Sequence, residues 1–239
     1  MKVAARGRPS LRESRWIETA LAAAVGVPIV YFGIQVGVMP LHSGYDALTQ
    51  PASALGAHGA PYAWLFNLGV LSTGLLTIAA AWGTGRALAV AGARPILAWL
   101  AGLALLSSGL ASLNAGFFHL PDPRHNPGWL GTGMFLFPPI LLAAVWRFDK
   151  ARGLRLRLLL CLAGIGLLAP IMAGLTPIDR ASYGGLLQRF VALALLLPVS
   201  FAGLWLFWRL RSDRRSFASR ARAESRPRAR RVDPPSPLP

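Results

Sequence analysis

The chain predicts an all-α fold, an integral membrane bundle of six transmembrane helices with the N- and C-termini cytoplasmic. Three observations carry this reading. Of 239 residues, 54% are hydrophobic and only 14% charged, with a mean hydropathy of +0.47, more apolar surface than a soluble core can hide. The apolar residues gather into six runs, each near the ~20 residues that cross a bilayer as a helix. Finally, 22 of the 25 Lys and Arg fall on one side of the implied topology, the bias that keeps basic connections in the cytoplasm.

The first run, 16–39, follows a basic segment at 1–15, MKVAARGRPSLRESR. It is too long for the apolar part of a signal peptide and no small-residue cleavage site follows, so it reads as an uncleaved first span. The second and third runs, 61–82 and 95–118, open at Pro61 and Pro95, at helix starts where a missing N–H costs nothing. The fourth and fifth, 129–147 and 158–175, are short and interrupted by Pro138, Pro139 and Pro170; the sixth, 185–208, contains Pro198, as the first contains Pro28. Neighbouring membrane helices re-satisfy the backbone groups such prolines free, so these read as kinks. The domain organisation is therefore a basic segment at 1–15, a six-helix transmembrane domain at 16–208 and a tail at 209–239.

The tail is rich in Arg and Pro and poor in apolar residues, a composition that predicts disorder. With the N-terminal segment it accounts for most of the net charge of +16. Nucleic acid is not the expected partner, because the basic run lacks the interleaved aromatics of a stacking platform. The expected partners are membrane lipids, with anionic head groups at the cytoplasmic basic ends, and the expected location is the bacterial cytoplasmic membrane. The single cysteine, Cys161, excludes an intrachain disulfide.

Given this topology, the polar side chains are unevenly placed. His42, His58, His119 and His125, with Asp46, Asp122 and Asp179, fall in the outward connections or at their edges. Gln35, Asn67, Asn114, Gln188 and Arg189 lie one to two turns inside the spans at that same end, whereas the cytoplasmic halves hold little beyond Thr77, Cys161 and Ser200. Polar groups in lipid turn toward the bundle interior and pair there, so an outward-facing polar pocket above a dry lower half is expected. Arg189 calls for an acidic partner (Asp46, Asp122 or Asp179) or an anionic ligand. The His/Asp set invites a metal or hydrolase reading, but no HExxH is present and His119 and His125 are separated by prolines. No metal or cofactor is called for. Ser53 sits in no GxSxG elbow. Within the first connection, TQPASALG predicts a short interfacial helix, capped by Thr49 or Gln50, starting at Pro51 and ending at Gly56.

The stretch GYDALTQPASALGAHGAPYAWLFNLGVLSTGLL resembles the signature of the domain-of-unknown-function 998 family, G-Y-x-P-x-x-x-x-I-S-x-L-G-x-x-G-A-P followed by a span with Asn and Gly. Gly44, Tyr45, Ser53, Leu55, Gly56, Gly59, Ala60, Pro61, Asn67 and Gly69 fit it. His125-Asn126 resembles the pair that opens the fourth span in that family, and Gly185-Leu186-Leu187-Gln188-Arg189 its Gly-Leu-x-(Glu/Gln)-Arg opening of the sixth. Ala52 stands where the family pattern has Ile, and the turn GFFHLPDPRHN departs from its Phe-Pro-Asp form. The resemblance, over roughly 16–208, implies a six-span helical protein and no established activity.

The leading functional reading is a binding protein with an outward pocket for a lipid head group or small anionic ligand. Arg189 would anchor the anion, Gln188, Asn67 and Asn114 would wall the pocket, and Ser53, Asp46 and His125 would stand at its rim. A second reading is a membrane hydrolase or transferase acting on lipid-linked substrates through the His/Asp cluster. A transporter ranks third, since a pathway needs polar positions through the whole depth.

Overall fold

The structure, a computed structural model, describes residues 9–224. It is all-helical among them, and six helices are long and apolar enough to cross a membrane. The α-helices are α1 (Leu11–Val38), α2 (Ala63–Val90), α3 (Pro95–Phe117), α4 (Thr132–Val145), α5 (Arg152–Met172) and α6 (Arg180–Glu224), α4 reaching membrane length only together with the 3-10 turns before it. Connections 1, 3 and 5 lie at one end, here the loop end; the start of α1, the far part of α6 and connections 2 and 4 lie at the other, here the terminal end.

Three of the helices start for a visible local reason. The Ser10 hydroxyl accepts from the Glu13 N–H at 3.1 Å and caps α1. Pro95 takes the first position of α3, and the Asp179 carboxylate accepts from Ala181 N–H and the Ser182 hydroxyl at the start of α6. Several boundaries differ from expectation. α2 continues past 82 to Val90, because GTGRALAV keeps small and apolar residues on the buried side. The fourth crossing, Pro123–Val145, begins as two 3-10 turns, Pro123–His125 and Gly128–Gly131, before α4 proper. α5 begins at Arg152, six residues before its apolar run.

The largest difference is in the tail. Disorder was expected from 209, but α6 continues to Glu224. Its Ser-, Ala- and Arg-rich sequence has adequate helix propensity, and Arg211 and Arg214 reach Glu18 of α1 at 3.6 and 3.0 Å. The remainder of the expected tail, 225–239, and the start of the N-terminal segment, 1–8, lie outside the described residues.

α2 packs against α1 on one side and α3 on the other; α1 also meets α6, α3 meets α4, and α5 meets α6. Lipid tails are as apolar as Leu, so close backbone approach rather than burial from water holds such helices together. A Cβ on Gly83 would sit 2.5 Å from Ala20 Cβ, one on Gly74 3.0 Å from the Gly109 carbonyl, and one on Gly203 2.7 Å from the Leu21 carbonyl. The core beneath is built from Ile17, Leu21, Leu88, Leu105, Phe137, Leu141, Leu158 and Leu206. Thr73, Thr77 and Ser108 donate to the carbonyl four residues earlier, and Ser200 reaches the Ala24 and Val25 carbonyls of α1, whereas the buried Thr84 hydroxyl of α2 has no hydrogen-bond partner among the described residues.

Candidate functional site

The loop end is closed by connection 1, residues 39–62, folded down onto α1, α2 and α6. Gly44, at φ +81°, turns the chain back over the bundle. The short helix expected in TQPASALG is present as a 3-10 turn, Ala52–Gly56, with extended Pro51 at its cap position. Neither expected cap is used. The Thr49 hydroxyl donates to the Asp46 carboxylate at 2.9 Å, and the Gln50 side chain accepts from the Asp46 N–H at 3.1 Å. The cap comes instead from α6, where Gln188 Oε1 accepts from the Ala52 N–H at 2.8 Å. Ala52 and Leu55 then bury against Val38 of α1 and Phe66 of α2.

Arg189, the next residue on α6, completes the attachment. Its Nη1 donates to the carbonyls of Ala47 at 2.9 Å, Gln50 at 3.2 Å and Gly185 at 2.8 Å, and its Nη2 donates to the Tyr45 hydroxyl. The guanidinium carbon lies 5.8 Å from the Tyr45 ring centre, within cation–π range. Tyr45 in turn donates to the Gln50 and Pro51 carbonyls. Leu186 N–H reaches the Leu48 carbonyl at 3.0 Å, and Gly185 is bare because a Cβ would stand 2.2 Å from the Gln50 carbonyl oxygen. From α2, Asn67 Nδ2 donates to the Gly56 carbonyl at 3.0 Å.

The acidic partner expected for Arg189 is absent: among the described residues it forms no ion pair. Asp46 is engaged by Leu48 N–H and Thr49, which hold its carboxyl below the usual range. Asp122 is engaged by both arms of Arg124 and held at about 2. Asp179, committed to Ser182 and the first turn of α6, is also lowered. The Arg189 Nε–H is buried and has no hydrogen-bond partner, and neither has the Gln35 Oε1 of α1. Gln35 is 1% exposed, with its Nε2 donating to its own helix at Tyr31. Arg189 and Tyr45 thus form one polar group with the carbonyls of connection 1.

The remaining candidates lie around connection 3. Asn114 Nδ2 donates to the Arg124 carbonyl at 2.6 Å, and His125 Nδ1 meets the Phe118 carbonyl at 2.7 Å. The two connections join where His58 N–H donates to the Leu120 carbonyl at 2.7 Å, with the rings of His58 and His119 stacked 6.2 Å apart. The candidate residues therefore form two neighbouring sets, Arg189, Gln188, Asn67, Asp46 and Ser53 around connection 1, and Asn114 and His125 around connection 3. The four histidines do not converge on one point: His58 stacks on His119, His42 packs on Tyr45 and His125 on its own turn, and no group of three metal-ligating side chains occurs among the described residues.

One partner of Arg189, Tyr45, is not singled out by the sequence as a site residue; the available signal is its position in GYD, directly after the turning glycine.

A bundle of six apolar helices with a polar cap folded over one end defines a multi-pass membrane protein. The family model described as protein of unknown function (DUF998) matches residues 14–208, and the chain belongs to that family. No curated protein and no solved structure matches the chain.

Proposed function

We propose that the protein binds an oxyanion, the phosphate of a lipid head group or of a small anionic metabolite, in its loop-end cap. In this reading both termini are cytoplasmic and the cap faces outward from the bacterial cytoplasmic membrane, as the basic residues concentrated at the terminal end favour. The observation that carries the proposal is the state of Arg189. Its guanidinium is held against connection 1 without a carboxylate, and its Nε–H is buried and unpartnered. Carbonyl dipoles offset part of the cost of burying that charge, and an anion would offset the rest.

Arg189 is then the anion anchor. Gln188 and Asn67 keep connection 1 in place around it, Asp46 and Ser53 belong to the connection it holds, and Asn114 and His125 extend the rim toward connection 3. The test is native mass spectrometry of the full-length protein gently extracted from its membrane. An anionic adduct is expected on the wild type, absent from Arg189→Gln and retained by Gln188→Ala, which loosens the same connection without removing the charge. A wild type free of anionic adducts, or an adduct lost equally from both variants, would contradict the reading.

A further inference from the structure

At the opposite end, a cavity of about 930 Å³ opens between the α4–α5 connection, the start of α5 and α6. Arg147, Lys150, Arg157 and Arg209 line it, with Asp149 and Asp213 as its carboxylates among the described residues. Arg147, Lys150 and Arg157 form no ion pair among the described residues, and Arg209 meets Asp213 only at 4.0 Å. The Arg209 guanidinium carbon sits 4.7 Å from the Phe148 ring centre and 5.5 Å from that of Trp205, and its Nε–H is buried without a hydrogen-bond partner. The wall is fixed, since Trp205 Nε1 donates to the Lys150 carbonyl at 3.3 Å and the Phe148 and Trp205 rings pack 5.5 Å apart. The lining also includes Leu204 and Trp208 on α6, which are 43% and 60% exposed.

We infer that this cavity is a binding site for one anionic glycerophospholipid. Its charge excess is positive and its arginines suit a phosphodiester. Basic pockets between helices at the cytoplasmic end of membrane proteins take such head groups. The Trp-lined mouth is suited to the head-group level of a bilayer. A soluble anion would need only the cations. Leu204 and Trp208 offer an acyl chain an apolar track along α6 directly beside them. The site is independent of the Arg189 cap and shares no residue with it.

The test uses the full-length protein in neutral detergent, titrated with dioleoyl phosphatidylglycerol or dioleoyl phosphatidylcholine while thermal unfolding is followed. Stabilisation by phosphatidylglycerol alone is expected. Arg147→Ala/Arg157→Ala should weaken it about thirtyfold, at roughly 1 kcal/mol for each basic residue. Arg12→Ala/Arg15→Ala, at the same end on α1, is the control for diffuse attraction and should change it far less. Asp149→Asn should tighten binding, an arm that survives if the double variant folds poorly. Equal weakening in both double variants, or no tightening in Asp149→Asn, would overturn the site. Stabilisation by inorganic phosphate matching that by phosphatidylglycerol would overturn the lipid assignment.

Discussion

Gln188 and Arg189 are adjacent on α6 and direct their polar atoms at one stretch of backbone, from the Ala47 carbonyl to the Ala52 N–H. Removing the acceptor in Gln188→Ala strands a partly buried donor, which costs about 1–3 kcal/mol. A lowered melting temperature in detergent and faster hydrogen exchange over Ala52–Gly56 are expected, with Gln188→Glu largely restoring both. Asp122 makes a separate prediction at this scale. Arg124 holds its carboxyl at about 2, below the ordinary value near ~3.9. The contribution of that contact is therefore fully present above the ordinary value and is lost only as pH falls through about 2. Side-chain carbon NMR should place the Asp122 midpoint near about 2 in the wild type and return it toward ~4 in Arg124→Ala; a wild-type midpoint near the ordinary value would contradict the assignment.

Among the elements, α6 does the most: it caps connection 1 at one end and pairs with α1 at the other. Gly185→Ala places a Cβ 2.2 Å from a backbone oxygen, which no rotamer change relieves. Connection 1 must lift, at about 1–3 kcal/mol, and its amides should exchange together. Glu18→Gln removes the partner of both Arg211 and Arg214. Because those arginines are exposed, the loss should be no more than ~1 kcal/mol, read as faster exchange in α6 beyond 209 with the spans unchanged. These elements also mark what the sequence could and could not disclose. Six apolar runs give six spans, and the depth of Asn67, Asn114, Gln188 and Arg189 places them at the loop end, as found. Their partners were not legible, because they are mostly main-chain carbonyls of connections 1 and 3, and a carbonyl leaves no trace in residue type. Low hydropathy past 209 suggested disorder, whereas helix propensity and a distant Glu18 together sustain a helix.

At the level of the whole molecule, the charged groups among the described residues lie toward the two ends, and a close-packed, mostly apolar bundle separates them. The loop end carries a cation engaged by carbonyls without a carboxylate, and the terminal end carries an arginine-lined cavity. Cys161 lies buried in the bundle, so a cysteine placed at Ala57 in a Cys161→Ala background reports the sidedness of the cap without competition. Labelling by an impermeant maleimide added to intact cells is expected. The central claim, that Arg189 draws an oxyanion into the cap, is tested most directly by titrating glycerol phosphate into the Arg147→Ala/Arg157→Ala protein, whose other basic site is disabled, while following thermal unfolding. A saturable rise in melting temperature is expected that survives in part in Arg189→Lys, which keeps the charge without the fork, and vanishes in Arg189→Gln. An equal rise in Arg189→Gln, or none in the parent protein, would contradict it.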